Sequence, residues 1–229
     1  MSNISRLRTR GLGTVAIVLS AAAAIAASRS DASANTAPSA ATAPAAIPAP
    51  PDAWLKGITS KHKQFFDAPT PSGGILLIHM MNYFDTLNKE YAVKDDAIDA
   101  VGTFYGAATL YGVNDKMWAK YKLGEVLEAN DPATGKPAVA NPWRTSPTIL
   151  GMALPQASVE SLQKRGATFI LCNNALGLMA GMVAKARGLP TDAVYADLKA
   201  NILPGVELIP GMVVAIDQAH AIGMSYHRQ

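Results

Sequence analysis

Thr168-Phe169-Ile170-Leu171-Cys172 is an apolar run of strand length, entered directly from Gly166 and followed at once by Asn173-Asn174. Asparagine favours the first position of a helix because its side-chain oxygen accepts a free backbone N–H there. A helix from Ala175 to Arg187 is therefore expected, closed by Gly188 and Pro190. The pattern then repeats. Val206-Glu207-Leu208-Ile209 reads as a strand, Pro210 and Gly211 open a helix from Met212 to Ile222, and Gly223 ends it. Strands that hand over directly to helices give parallel sheets with helices packed against them. Ser225 to His227 can add an edge strand.

Upstream elements extend the same alternation. Asp99 to Tyr105 predicts a strand, followed by Gly106 and a short apolar piece from Ala107 to Val113. Asn114 or Asp115 can cap a helix through Trp118 and Tyr121. Ile75 to His79 is a continuous apolar run that predicts a strand buried on both faces. Asp52 is expected to cap a helix carrying Trp54, Leu55, Ile58, Phe65 and Phe66, stopped by Pro69, Pro71, Gly73 and Gly74. Further helices are expected from Gln156 to Arg165 and from Asp192 to Asn201. The stretch from Glu128 to Pro155 is loop-like, with Asp131-Pro132, Thr134-Gly135, Asn141-Pro142 and Ser146-Pro147. The expected fold is α/β: a three-layer sandwich on a mostly parallel sheet of four to five strands.

That domain should span residues 52–229. Residues 1–34 read as an export signal, with Arg6, Arg8 and Arg10 ahead of the uncharged stretch Gly11 to Ala27, and Ala32-Ser33-Ala34 as small residues for cleavage after Ala34. Seventeen residues dominated by alanine are short for a stable membrane span. The arginines of Arg8-Thr9-Arg10 are not adjacent, which favours the general secretory route over a twin-arginine one. A periplasmic or secreted location is expected. Between Asn35 and Pro51 five of 17 residues are proline and Ile47 is the one bulky side chain, so this segment reads as an extended Ala/Pro-rich linker.

Charge and cysteine content exclude several functions. Residues 1–34 hold four of the twenty basic residues and one of the seventeen acids, so the remainder carries sixteen of each. A neutral body lacks the basic stripe of a nucleic-acid binder. One cysteine rules out an internal disulfide, a Cys-x-x-Cys redox pair and a multi-cysteine zinc site. No Walker loop, G-x-G-x-x-G after a strand, or G-x-S-x-G elbow is present.

Chemistry in open parallel sheets sits beyond the carboxyl ends of the strands. The residues expected there are His79, Tyr105, Cys172, Asn173, Asn174, Gly211 and Met212. Cys172 stands where a strand passes into a helix, whose free N–H groups favour negative sulfur or a small anion. The same cysteine can instead be a small buried hydrophobe. His79, beside Met80 and Met81, can be a general base, or a histidine satisfied by local hydrogen bonds. His220 and His227 form no zinc motif, and the nine methionines read as core filling. Asp95, Asp96 and Asp99 read as a solvated turn, and Trp118, Tyr121 and Trp143 as core more than pocket. Neither cofactor nor metal is expected.

On these residues the chain resembles the DsrE/DsrF-like sulfur-relay family, in particular its exported single-domain members. The resemblance spans residues 73–227. It is carried by Gly166 to Leu176 with its Cys-Asn-Asn-Ala-Leu core, by Leu203 to Ile216, by Gly223-Met224-Ser225-Tyr226, and by Phe104 to Ala108 with Val113-Asn114-Asp115. It implies a small parallel-sheet sandwich that assembles with itself into trimers or hexamers. It also implies that Cys172 matches the cysteine common among exported members, where relay proteins of the family carry persulfide sulfur. The export signal and the Glu128–Pro155 insertion depart from the cytoplasmic relay members. Three readings stay open. One is a non-enzymatic sulfur carrier, or binder of a small thiol or anion, at Cys172. The second is a thiol-dependent enzyme using His79 with Cys172, and the third an interaction module with an inert Cys172.

Overall fold

The computed structural model describes residues 53–229; the leader, the linker and Asp52 lie outside the described residues. Its elements are, in order, α1 (Ala53–Lys56), β1 (His62–Asp67), α2 (Ile75–Tyr91), β2 (Ile98–Phe104), α3 (Asp115–Tyr121), α4 (Leu123–Val126), β3 (Thr148–Ile149), β4 (Met152–Ala153), α5 (Val159–Lys164), β5 (Thr168–Cys172), α6 (Asn173–Arg187), α7 (Thr191–Ala200), β6 (Val206–Ile209), α8 (Met212–Ala221) and β7 (Ser225–Arg228). Five strands form one sheet in the order β6-β5-β2-β1-β7, and every neighbouring pair is parallel. β3 and β4 make a separate antiparallel ribbon within the Glu128–Pro155 stretch. Among the described residues no helix is long and apolar enough to cross a membrane.

The order of the strands explains the three layers. From β1 through β2 and β5 to β6 the chain steps across the sheet in one direction, and right-handed crossovers then place the connecting helices on one face. The step from β6 to β7 runs back past β1, so α8 falls on the opposite face. Two core clusters record this division. The larger joins Phe66, Phe104, Phe169 and Leu171 to α2, α3, α5, α6 and α7. The smaller joins Phe65, Val101, Ile170 and Cys172 to Trp54 of α1 and to Met212, Ala215 and Ala219 of α8. Alternate strand residues face opposite ways, which is why Phe65 and Phe66, neighbours in sequence, are both buried at 0% and 2% exposure in different clusters.

Two expectations require correction. The helix expected over 54–66 is only the four residues of α1, and His62–Asp67 is the first strand. Its Lys63 and Gln64 read as a polar helix face, but pairing with β2 on one side and β7 on the other makes the segment a strand. The strand expected over 75–79 is the start of α2. A short apolar run does not distinguish a strand from a buried helix; the continuation does. Leu76, Leu77, Met80, Phe84 and Leu87 are buried at helical spacing. Gly74, at φ 85°, sets the chain into that helix from a 3₁₀ turn over Ser72–Gly74. The apolar piece after Gly106 is likewise a 3₁₀ turn, Gly106–Gly112.

Candidate functional site

Cys172 ends β5 and is the cap residue of α6, where its Sγ accepts the backbone N–H of Ala175 at 3.4 Å. β6 lies beside β5 with Ile209 opposite Cys172. The two residues after Ile209 carry the chain directly into α8, and the N–H of Met212 also donates to Cys172 Sγ at 3.4 Å. The second residue of α6, Asn174, donates its N–H to the Pro210 carbonyl at 3.3 Å and ties the two helix starts together. One sulfur thus sits between the N-termini of a fifteen-residue and a ten-residue helix. The unsatisfied N–H groups there carry partial positive charge. The residue is 5% exposed and packs with Ile170, Ile209 and Met212.

The polar neighbours fall beside it. Asn173 and Asn174 line a cleft of about 380 Å³ with Leu178, Thr191, Asp192 and Tyr195, and Cys172 is not among its lining residues. Asn173 Oδ1 accepts the Tyr195 hydroxyl at 2.6 Å. Gly211 lies against Asn174: a Cβ there would stand 3.3 Å from Asn174 Nδ2. Met212 contributes a backbone donor through its N–H, while its side chain is buried core at 2% exposure.

Tyr105 follows β2 on the Cys172 face of the sheet and packs against the smaller cluster. Burial, then a hydrogen bond to Asp67, pushes its phenol well above the ordinary tyrosine range. Asp67, at the end of β1 and 1% exposed, also accepts the Tyr226 hydroxyl from β7. Tyr226 is raised for the same reasons in the same order. Nothing in the local sequence marked Asp67 as a buried carboxylate. Only the pairing of β1 with β7 brings Tyr226 to it.

His79 lies in the second turn of α2, the helix layer opposite α8. Its Nδ1 is 2.5 Å from Gln229 Oε1 and 3.3 Å from His227 Nε2. The two imidazoles meet edge to face with ring centres 5.1 Å apart. His227 also packs on Phe66, a member of the α2-side cluster. Cys172 belongs to the α8-side cluster, and β2 and β1 intervene between β5 and β7. Three strand spacings amount to roughly 14 Å. The structure therefore does not bring His79 to Cys172, which removes the geometric basis for the two acting as an acid–base pair. Trp118 and Trp143 are buried core side chains, with the Tyr111 ring tilted against Trp143 at a centroid distance of 4.1 Å.

The fold and this edge define a three-layer α/β protein with one cysteine set between two helix starts. Among solved structures the chain is similar to MTH1491 of Methanobacterium thermoautotrophicum, a protein of unknown function, at 15% identity and a TM-score of 0.38. The match covers 74% of this chain and 100% of that one. No family model matches the chain, and no curated protein matches it.

Proposed function

We propose that the protein is a DsrE-like, exported, non-enzymatic carrier of sulfur or a small anion, with Cys172 as the residue that holds it. The observation that carries this reading is the convergence of the Ala175 and Met212 N–H groups on one sulfur. Backbone N–H groups at helix starts are the groups that hold small anions in proteins. Loading would proceed by attack of the Cys172 thiolate on the outer sulfur of a persulfide or polysulfide. A new bond forms from Sγ to the transferred sulfur, the donor's S–S bond breaks, and the donor leaves as a thiolate one sulfur shorter. No net oxidant is needed. Asn173, Asn174 and the Gly211 backbone would flank the loaded group, and Tyr105 closes the same face of the sheet edge.

Self-assembly into trimers or hexamers belongs to the same proposal. It is supported by Leu178 and Met182 one turn apart on α6, and by Val213 and Val214 at the start of α8, which are all exposed. A second reading has its own observation. At 5% exposure among Ile170, Ile209 and Met212, Cys172 is also placed as a packing residue of an interaction module. Native mass spectrometry of the protein isolated from its own periplasm separates the two. The carrier reading expects chains beginning after Ala34 and a sulfur adduct released by reductant. An unmodified thiol that stays inert in the native chain favours the module.

A further inference from the structure

Residues 128–155 meet the entry to α2 around a cavity of about 180 Å³, whose lining includes Gly73, Tyr111, Asn130, Trp143 and Thr148. No aspartate, glutamate, lysine or arginine lines it. Two of these side chains are buried hydrogen-bond donors, Trp143 at 4% exposure and Tyr111 at 6%. Neither the Trp143 indole N–H nor the Tyr111 hydroxyl finds an acceptor among the described residues. Trp118 is the contrast, since its indole donates to the Leu110 carbonyl at 3.1 Å. Burial raises the Tyr111 phenol above its ordinary range, so the hydroxyl keeps its hydrogen at neutral pH. A buried donor without an acceptor is uncommon, and a ligand or ordered water is the usual reason for one.

The indole nitrogen lies at the mouth of α2. Trp143 Nε1 would stand 3.5 Å from a Cβ on Gly74. Gly74 is the cap residue of this seventeen-residue helix and has no side chain to satisfy its first N–H groups. Such groups carry partial positive charge and favour an anion nearby. Asn141, 5% exposed, holds both donors in one frame. Its Nδ2 donates to the Tyr111 carbonyl at 2.7 Å, and its Oδ1 accepts the Trp143 backbone N–H at 2.9 Å. The carboxylate next in sequence to Asn130, Asp131, is turned to the Ala133 N–H at 2.9 Å. The volume falls below the roughly 300–1,000 Å³ of pockets for organic ligands. It leaves room for a small ion with a few waters, each taking about 30 Å³. The Asn130 amide and the Thr148 hydroxyl can add further donors. We infer that this cavity binds a small inorganic oxyanion of the sulfate class, held by Trp143 Nε1–H and Tyr111 O–H at the start of α2. The site is separate from Cys172, which belongs to the other core cluster, and it gives the 128–155 insertion a binding role.

The test is titration of the untagged, isotope-labelled chain with sulfate, at constant ionic strength set by chloride, followed through the indole N–H resonances of its three tryptophans. A saturable shift of Trp143 is expected, with Trp54 and Trp118 left in place. Cys172→Ser should bind sulfate as the natural chain does. Tyr111→Phe removes one donor and keeps the ring, so it should weaken binding by about tenfold or more, as the loss of a hydrogen bond to a charged group does. No saturable shift, or one shared equally by all three indoles, overturns the inference. So does a Tyr111→Phe chain that binds as tightly as the natural one, or a loss of binding in Cys172→Ser, which would put the anion at the sulfur. Exchange of the Trp143 indole hydrogen with solvent is a readout that does not depend on the variants folding. Sulfate must slow it, and unchanged exchange at high sulfate refutes the site.

Discussion

Met212 donates its backbone N–H to the sulfur of Cys172 from forty residues further along the chain, at the same 3.4 Å as Ala175 three residues away. The first contact needs β6 to lie beside β5 in the observed register; the second needs only that Cys172 cap α6. Local and long-range structure therefore meet on one atom. The role proposed for that atom depends on both.

Removing the sulfur should separate hydrogen bonding from packing. Cys172→Ala takes the acceptor from one buried and one part-buried N–H group and leaves a small void, at an expected cost of about 1–2 kcal/mol in urea unfolding. Cys172→Ser keeps an acceptor at the cap position, where serine is among the favoured residues, and should lose less. Equal losses would mean that the sulfur only fills space.

Acid should act through Asp197 among other carboxylates. Lys120 Nζ at 2.6 Å, despite some opposing burial, and the Tyr121 hydroxyl at 2.8 Å hold its carboxyl below the ordinary range. A depressed folded value gives stability that is present above the unfolded value of about 3.9 and is lost as pH falls through the folded one. Chemical unfolding from pH 6 downward should show Asp197→Asn less stable than the natural chain at the upper end. The gap should narrow below about pH 4. A gap independent of pH would contradict the pairing.

At alkaline pH the Tyr105 phenol is among the tyrosines held neutral, first by burial and then by Asp67. A raised folded value contributes stability below the unfolded tyrosine value of about 10, and this is lost as pH rises through the folded value. Tyrosinate absorbance of the folded protein should include a late-titrating fraction. Asp67→Asn, which removes the negative charge facing Tyr105 and Tyr226, should shift that fraction to lower pH. An unchanged titration would show that the carboxylate does not govern the phenols.

Gly124, in α4, lies against the backbone of the insertion. An added Cβ would stand 2.4 Å from both the N and the O of Ala138, and backbone cannot move aside as a flexible side chain can. Gly124→Ala should cost about 1–3 kcal/mol and raise hydrogen exchange at Ala138, whose N–H bonds to the Ala129 carbonyl at 2.8 Å. Unchanged exchange there would mean that the insertion is not anchored through this contact.

Much of the fold was legible where boundaries are chemical. Thr168–Cys172 and Val206–Ile209 form strands over the residues expected, because glycine or proline and helix-capping residues bracket short apolar runs. β1 was not legible. Its Phe65-Phe66 pair suits a strand buried on both faces, but Lys63 and Gln64 conceal it until β2 and β7 supply partners. α2 shared its first turn with a plausible strand, and only Met80, Phe84 and Leu87 decide the period. The strand-to-helix switch after Cys172 followed from adjacent residues, but the cap expected at Asn173 or Asn174 is Cys172 itself, because the helix begins at Asn173. The meetings of Asp67 with Tyr226 and of His79 with His227 join positions 159 and 148 residues apart, beyond any local spacing.

The most direct trial of the carrier role is to expose the folded, reduced protein to an inorganic polysulfide, remove the excess, and weigh the intact chain. The account predicts a gain of whole sulfur atoms that reductant reverses and that Cys172→Ser abolishes. A native chain that gains nothing, while the unfolded chain gains sulfur at the same residue, would contradict it.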